Sequence, residues 1–232
     1  MENKLKTVCI VQARLGSKRL PEKVLKIINN KPMIYWLILR LKKVRYFDKI
    51  VLAIPKLRNN KLLFFLKTIP GIVIYRGPEH NVLRRYYEAA KKFNADIITR
   101  ITADDPLKDP DVISKSLSYF KKSKLDYYSN TIRQTFPIGI DVEHFTFRAL
   151  KIANKLVKSN NDKEHVTSFL KRNDKIFNIK NFINNTNLSR YSLTVDTQED
   201  FNKIKKIFYK FKKKPFISYK KIIKFLKNEK RN

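Results

Sequence analysis

The sequence predicts an α/β fold with a mainly parallel, Rossmann-like sheet flanked by helices. Apolar runs of strand length alternate with helical patterns through the first half of the chain, which is typical of βα units around such a sheet. The 232 residues, 43% of them hydrophobic, suffice to bury a sizeable core. We therefore expect one domain over residues 1–232, with a small antiparallel β element within residues 135–190.

Each predicted element follows from its pattern of apolar residues. Continuous apolar runs predict strands at residues 7–12, 49–54, 72–75 and 96–101. Apolar residues at helical spacing predict a helix that begins at Pro32 and further helices at residues 62–66, 80–93 and 111–120. Beyond residue 120 the pattern loosens. It predicts an antiparallel strand at 140–145, a helix at 147–157, and extended segments at 175–182 and 191–195.

The strongly basic composition raises the question of a nucleic-acid partner. Lys and Arg number 52 against 20 Asp and Glu, so the formal net charge is +32, and a field of this size attracts polyanions. The lysines are spread through every segment, however, and the sequence contains no recognised nucleic-acid-binding module. Residues 205–231 are rich in lysine, but their apolar residues recur at helical spacing, which predicts two short helices with solvated faces. We therefore expect no specific nucleic-acid partner.

Cysteine usage and hydropathy bear on where the protein works. Cys9 is the only cysteine, so the sequence offers neither an intrachain disulfide nor a cysteine-based zinc site. The apolar run after Met1 is too short for a signal peptide, and no segment approaches the length of a membrane span. We expect a cytoplasmic protein that is not inserted in a membrane.

The loop after the first strand has the composition of a triphosphate site. Residues 13–23 (ARLGSKRLPEK) combine small residues with spaced arginines and lysines. Ligands of open α/β sheets bind at the carboxyl ends of strands, and Arg and Lys supply the charges that phosphate oxygens require. The alternative is a basic surface loop in a very basic protein. The order of strand, small residues, spaced cations and then Pro21 favours the phosphate site.

Two aspartates are expected beside this loop, because each follows a predicted extended segment. Asp104 comes after residues 96–101, and Asp196 comes after residues 191–195. Mg²⁺ prefers oxygen ligands and commonly binds one or two carboxylates together with phosphate oxygens and water. The pair therefore predicts a magnesium site.

Each aspartate also has a structural alternative. Asp196 precedes Thr197 and Glu199 in the manner of a helix N-cap, and Asp104 could cap a turn before Pro106. Two caps would have no reason to lie beside a cationic loop, so their shared position favours the metal site.

Six segments, in order, resemble the cytidylyltransferases that make CMP-activated acidic sugars, such as CMP-sialic acid and CMP-Kdo synthetases. The similarity is greatest to the spore-coat polysaccharide biosynthesis branch and extends from the first strand to about Phe201. The segments are ARLGSKRLPEK from Ala13, RGPEHNVLRRYYEA from Arg76, RITADDPLKDPDVI from Arg100, FPIGIDVE from Phe136, EHVT from Glu164 and LTVDTQEDF from Leu193.

The resemblance implies a role for each matching residue. Arg14, Ser17 and Lys23 match positions that hold the CTP phosphates, and Arg19 matches a further cation; we take Arg14, Arg19 and Lys23 as the catalytic cations. Asp104 and Asp196 match the magnesium-binding carboxylates. The remaining nucleotide contacts implied are Ala13, Gly16, Arg76 on the base side, and Ala103, which stands where the family commonly has Gly.

Three further residues are assigned to the acceptor. Asp141 and Glu143 lie two apart on a predicted strand and therefore face the same side, so we expect them either to line the acceptor pocket or to form a surface pair. His165 belongs to the matching EHVT segment and is placed with them.

The resemblance implies a magnesium-dependent enzyme that transfers CMP from CTP to a small acidic, nonulosonate-like sugar or a phosphorylated acceptor, for surface polysaccharide synthesis. It also implies a homodimer, with a contact around residues 140–170. Two alternatives stay open: a nucleotide-sugar-dependent glycosyltransferase with the same type of sheet, and a basic nucleic-acid-binding protein. A sugar diphosphate needs fewer cations than the first loop supplies, and nucleic-acid binding leaves the aspartates unexplained.

Overall fold

A seven-stranded mixed sheet forms the centre of the fold. The computed structural model describes residues 5–56, 69–212 and 214–229. The strand order is β5-β4-β1-β6-β8-β7-β9. The strands are β1 (Thr7–Gln12), β4 (Lys49–Pro55), β5 (Val73–Gly77), β6 (Ile97–Thr102), β7 (Tyr127–Ser129), β8 (Glu143–Thr146) and β9 (Ile179–Asn181). A separate antiparallel pair consists of β2 (Ile27–Ile28) and β3 (Lys31–Pro32).

Helices cover both faces of this sheet. They are α1 (Met33–Leu41), α2 (Val82–Lys92), α3 (Pro110–Lys122), α4 (Phe147–Leu156), α5 (Asn160–His165), α6 (Ser168–Arg172), α7 (Gln198–Lys210) and α8 (Tyr219–Glu229). Side chains alternate along a strand, so β1 contributes to two cores. Cys9 and Val11 pack in the core that includes α1 and α7, whereas Val8 and Ile10 pack in the core that includes α2 and α4.

The register of the central strands brings two loops together. β1 pairs in parallel with both β4 and β6, and Gln12 lies opposite Thr102. Parallel strands end on the same side of a sheet, so the loops that begin at Ala13 and Ala103 leave the sheet next to each other. β8 then runs antiparallel to β6, which places Glu143 opposite Arg100.

The structure confirms the predicted fold class and the strands and helices of the first half to within a few residues. The helix predicted at residues 62–66 lies outside the described residues. In the described part of the chain, no helix is both long enough and apolar enough to cross a bilayer.

Two extended predictions need correction. The antiparallel strand begins at Glu143 rather than at Ile140, because the Asn130 side chain binds the intervening backbone: its Nδ2 donates to Ile140 O (3.0 Å) and its Oδ1 accepts from Val142 N (2.8 Å). Residues 191–195 make only one isolated parallel bridge, between Ile138 and Ser192, and are not a strand of the sheet. Asp196 therefore follows an extended segment beside the sheet.

Candidate active site

A cavity of about 510 Å³ opens where β1 and β6 end. Its walls come from the loop after β1, the end of β6, α2, α5 and the residue before α7's cap. They comprise Gln12, Ala13, Arg14, Gly16, Ser17, Lys18, Arg19, Lys23, Val24, Val82, Arg85, Arg100, Thr102, Ala103, Asp104, Glu164, His165 and Asp196. The loop, the β6 end and the segment before α7 thus meet at one site.

Lys23 lies between the two aspartates. Its Nζ donates to Asp104 Oδ2 (3.0 Å), Asp196 Oδ1 (2.9 Å) and the carbonyl oxygen of Val195 (2.7 Å). The Lys23 side chain is only 11% exposed, whereas those of Asp104 and Asp196 are 31% and 36% exposed. The carboxylates therefore remain open to the cavity while the ammonium lies beneath them.

Electrostatics keep Lys23 charged. Burial alone lowers the pKa of this lysine, but the charges of Asp104 and Asp196 and their hydrogen bonds outweigh burial and raise its pKa above the ordinary value. The site therefore carries a fixed positive charge at neutral pH.

Backbone hydrogen bonds hold the two aspartates in place. Val195 N donates to Asp104 O (2.9 Å), which ties the segment before α7 to the loop after β6. The cap of α7 is Thr197, which forms a capping box with Asp200, so the side chain of Asp196 is not used as a cap. Beneath Asp104, the buried pair Asp105 and Lys108 (2.8 Å) fixes the same loop.

The other predicted loop cations also contact acids at the cavity. Arg19 Nη2 lies 2.9 Å from Asp196 Oδ2, and Arg14 Nη1 lies 3.1 Å from Glu164 Oε1 of α5. Both arginine side chains are exposed, at 67% and 63%. Pairs this exposed contribute little to folding stability, so these arginines can exchange partners with a ligand at small cost.

Ten of the predicted site residues line the cavity, and three do not. Arg76 lies on β5, opposite Ile54, and is not part of the described wall. The expected shared strand face of Asp141 and Glu143 is wrong, because β8 begins only at Glu143. Asp141 accepts hydrogen bonds from Gln134 Nε2 (2.8 Å) and from Gly139 N (3.4 Å).

Glu143 is buried and fully engaged by protein groups. It forms ion pairs with Arg100 and with Lys171 (3.1 Å), and accepts hydrogen bonds from Tyr127 Oη (2.6 Å) and Thr167 Oγ1 (2.7 Å). Burial alone raises the pKa of Glu143, but Arg100 and Lys171 outweigh it and hold the pKa well below the usual range. Its contacts are those of a residue that orients Arg100.

Several residues of the cavity wall were not predicted as site residues from the sequence, among them Gln12, Arg85 and Arg100. The sequence does contain a pattern that indicates Arg100. It is the only charged residue in the buried strand IITRIT and lies two positions before Thr102, so the two side chains share a face.

The donor set fits a divalent cation only together with a substrate. Among residues 5–56, 69–212 and 214–229, no group of three or more His, Cys, Asp or Glu side chains is placed to hold a metal. Two neighbouring carboxylates that face a cavity suit Mg²⁺ when phosphate oxygens and water complete its coordination.

Comparison with known proteins identifies the family to which this arrangement belongs. The cytidylyltransferase family model matches residues 8–231. The chain belongs to the cytidylyltransferase family. It is thus a CTP-dependent nucleotidyltransferase, and the family model covers every cavity residue named above.

The chain is also similar to individual proteins and to a solved structure. An uncharacterised protein of Methanocaldococcus jannaschii is 36% identical over 199 residues, 85% of this chain and 81% of the relative. The spore coat polysaccharide biosynthesis protein SpsF of Bacillus subtilis is 27% identical over 225 residues, 94% and 92% of the two chains. A solved cytidylyltransferase structure from Leptospira borgpetersenii superposes with a TM-score of 0.92 at 26% identity, covering 98% and 96% of the chains.

Proposed function

We propose that this cytidylyltransferase transfers CMP from CTP to a hydroxyl group of a small acidic, nonulosonate-like sugar, with Mg²⁺, and so supplies an activated sugar for a surface polysaccharide. The observation that carries the proposal is that Asp104 and Asp196 lie beside the cationic loop of residues 13–23, with Lys23 of that loop between the two carboxylates. The relationship to a spore-coat polysaccharide protein supports the pathway.

The chemistry requires charge neutralisation more than proton transfer. The oxygen of the acceptor hydroxyl attacks the α-phosphorus, the bond from that phosphorus to the bridging oxygen breaks, and pyrophosphate leaves, while the hydroxyl proton is lost to water. Negative charge grows on the phosphoryl oxygens and on the leaving group. Arg14, Arg19 and Lys23 would bind the pyrophosphate part of CTP and stabilise this charge.

Asp104 and Asp196 are the residues that would hold Mg²⁺. Bound there with the triphosphate, Mg²⁺ supplies further charge neutralisation at the phosphoryl oxygens. Ala103 and Gly16 add little bulk to the wall, and an added Cβ at Gly16 would meet no atom within 4 Å. The loop therefore leaves the triphosphate free to approach the backbone.

Pyrophosphate release from CTP tests the proposal. The purified protein is incubated with CTP, MgCl₂ and either Kdo or N-acetylneuraminate, and the CMP conjugate is identified by mass spectrometry. We expect conjugate formation that stops when EDTA removes the metal. Turnover with phosphorylated sugars alone, or with a sugar nucleotide in place of CTP, would contradict the proposed acceptor or reaction.

The metal ligands are tested by Asp104→Asn and Asp196→Asn, which keep the side-chain shape. Each should lower turnover by at least ~10²-fold, as expected when a preorganised electrostatic partner is lost, and should raise the magnesium concentration needed for half-maximal rate. Asp111→Asn, in the exposed first turn of α3, is the matched control. An unchanged magnesium dependence in either cavity variant would remove that residue from the metal site.

A further inference from the structure

Buried polar atoms without a partner are concentrated at the active-site cavity. In the described part of the chain, four buried side-chain atoms lack a hydrogen bond: Gln12 Oε1, Arg85 Nε, Arg100 Nε and Thr7 Oγ1. The first three belong to side chains that line the cavity. Leaving such atoms unpaired costs free energy, so they are rare unless water or a ligand completes them. This end of the cavity is therefore suited to a polar ligand.

Gln12 and Arg100 lie on the same face of neighbouring strands. Arg100 is paired with Ile10 and Gln12 with Thr102 across β1 and β6. Residues two apart on a strand share a face, so Gln12, Arg100 and Thr102 lie together. Asp104 follows two residues after Thr102, which places a ligand of Arg100 and Gln12 next to the proposed metal and phosphates.

The Arg100 guanidinium is held in one orientation. Its Nη1 forms an ion pair with Glu143, and Glu143 is itself fixed by Tyr127, Thr167 and Lys171. The Arg100 side chain is 15% exposed, and it contributes to the cavity wall. A guanidinium fixed in this way is preorganised to bind a planar anion.

Positive charge exceeds negative charge at this end of the cavity. Arg85 is buried, and its Nη1 donates to the carbonyl oxygens of Pro78 and Glu79 rather than to a carboxylate. Arg100 and Lys171 therefore share the single carboxylate of Glu143, Arg85 adds a further positive charge to the cavity wall, and Glu164 is already paired with Arg14. The excess attracts an anionic ligand.

We propose that Arg100 and Gln12 form the subsite for the acceptor, with Arg100 binding a carboxylate and Gln12 Oε1 accepting a hydrogen bond from an adjacent hydroxyl. This inference rests on the proposed function and specifies the acceptor as a carboxylate-bearing polyhydroxy compound. Cytosine also offers a donor and acceptors, but it carries no charge, whereas this end of the cavity has unbalanced positive charge.

The subsite is tested by comparing free acids with their methyl esters. Arg100→Lys keeps the charge but removes Nε and shortens the side chain. Turnover is measured by pyrophosphate release with Kdo, N-acetylneuraminate and the methyl ester of each, and CTP binding is measured by calorimetry without an acceptor. We expect the KM of the acid to rise at least ~10-fold, the loss typical of one charged hydrogen bond. The preference for acid over ester should fall, and the Kd of CTP should be unchanged.

Two further variants distinguish loss of the subsite from a general change in structure. Gln12→Leu leaves the network of Glu143 intact and should raise the KM of acid and ester equally. Arg148→Gln, an exposed arginine paired with Asp126, is the control and should change neither KM. Circular dichroism verifies that each variant is folded.

The outcomes separate this inference from the proposed function. If the wild-type protein uses the acids but Arg100→Lys leaves the acid-to-ester ratio unchanged, or weakens CTP binding instead, the subsite is wrong and the proposed function stands. If the wild-type protein uses neither acid, both fail.

Discussion

Lys23 uses all of its hydrogen-bonding capacity within the protein. An ammonium group has three donors, and here they bind Asp104, Val195 O and Asp196. To contact a phosphate of CTP, Lys23 must therefore give up at least one of these bonds. The carboxylate oxygens that it releases are those proposed to bind the magnesium ion that accompanies the triphosphate, so exchange of partners at Lys23 couples the two binding events.

Lys23→Met tests this coupling while keeping the length of the side chain. We expect turnover to fall at least ~10²-fold, because a preorganised positive charge is lost where negative charge develops. The Kd of CTP, measured by calorimetry in MgCl₂, should rise as well.

Lys26→Met is the control, since Lys26 lies three residues further along the same segment and contacts the ring of Phe201. A Lys23→Met protein with normal kcat and normal CTP affinity would show that Lys23 only neutralises the two aspartates.

The position of the site could be predicted from the sequence, but several of the side chains that line the cavity, and the contacts that orient them, could not. Strand ends on a parallel sheet follow from apolar periodicity, and this placed Lys23, Asp104 and Asp196 near one another. The Arg100–Glu143 pair depends on the antiparallel register of β8 with β6, which no local pattern specifies. Gln12 gave no signal either, because a polar residue at a strand end is common.

At the level of elements, a short loop supports the segment that carries Asp196. Leu193 N donates to Ile138 O (2.7 Å) and Ile138 N donates to Tyr191 O (2.9 Å). The next residue, Gly139, has φ +94°, and a Cβ there would lie 2.8 Å from the backbone of Leu193 and Thr194. The close approach of the two backbones therefore requires glycine at this position.

These contacts also explain where element prediction failed. Residues 191–195 have the apolar pattern of a strand, but their hydrogen bonds go to Ile138 and Asp104 rather than to a neighbouring strand. Residues 140–142 are bound by the side chain of Asn130. Both arrangements depend on residues distant in sequence, so periodicity could not reveal them.

Gly139→Ala tests the support of Asp196. The methyl group forces residues 193–194 away, and the shift reaches Asp196 two residues later. We expect kcat to fall at least ~10-fold, since displacements of about 1 Å can cost far more than that. Thermal unfolding should show destabilisation beyond the ~1–2 kcal/mol of a left-handed alanine.

Asn94→Ala provides the matched control, because Asn94 also has positive φ (52°) and is not part of the cavity wall. It should lose stability and keep kcat. Equal kcat values for Gly139→Ala and Asn94→Ala would show that the loop does not position Asp196.

At the scale of the whole molecule, the net charge of +32 produces an electric field that extends well beyond the cavity. Such a field concentrates CTP and other anions near the surface and binds polyanions without regard to sequence. The contacts in the cavity differ in kind, because Lys23 is buried and salt screens buried pairs less than exposed ones. Salt concentration should therefore separate the two effects.

A salt titration tests this separation and the nucleic-acid alternative together. Binding of a fluorescent DNA duplex, followed by anisotropy, should weaken by ~10³-fold or more between 50 and 200 mM KCl if it rests on many surface lysines. Over the same range, pyrophosphate release at saturating CTP should change by less than ~10-fold, because the ligand contacts in the cavity are partly shielded from solvent. A second duplex of unrelated sequence should bind equally well. DNA binding that resists salt, prefers one sequence and is displaced by CTP would instead indicate that the cavity itself binds nucleic acid.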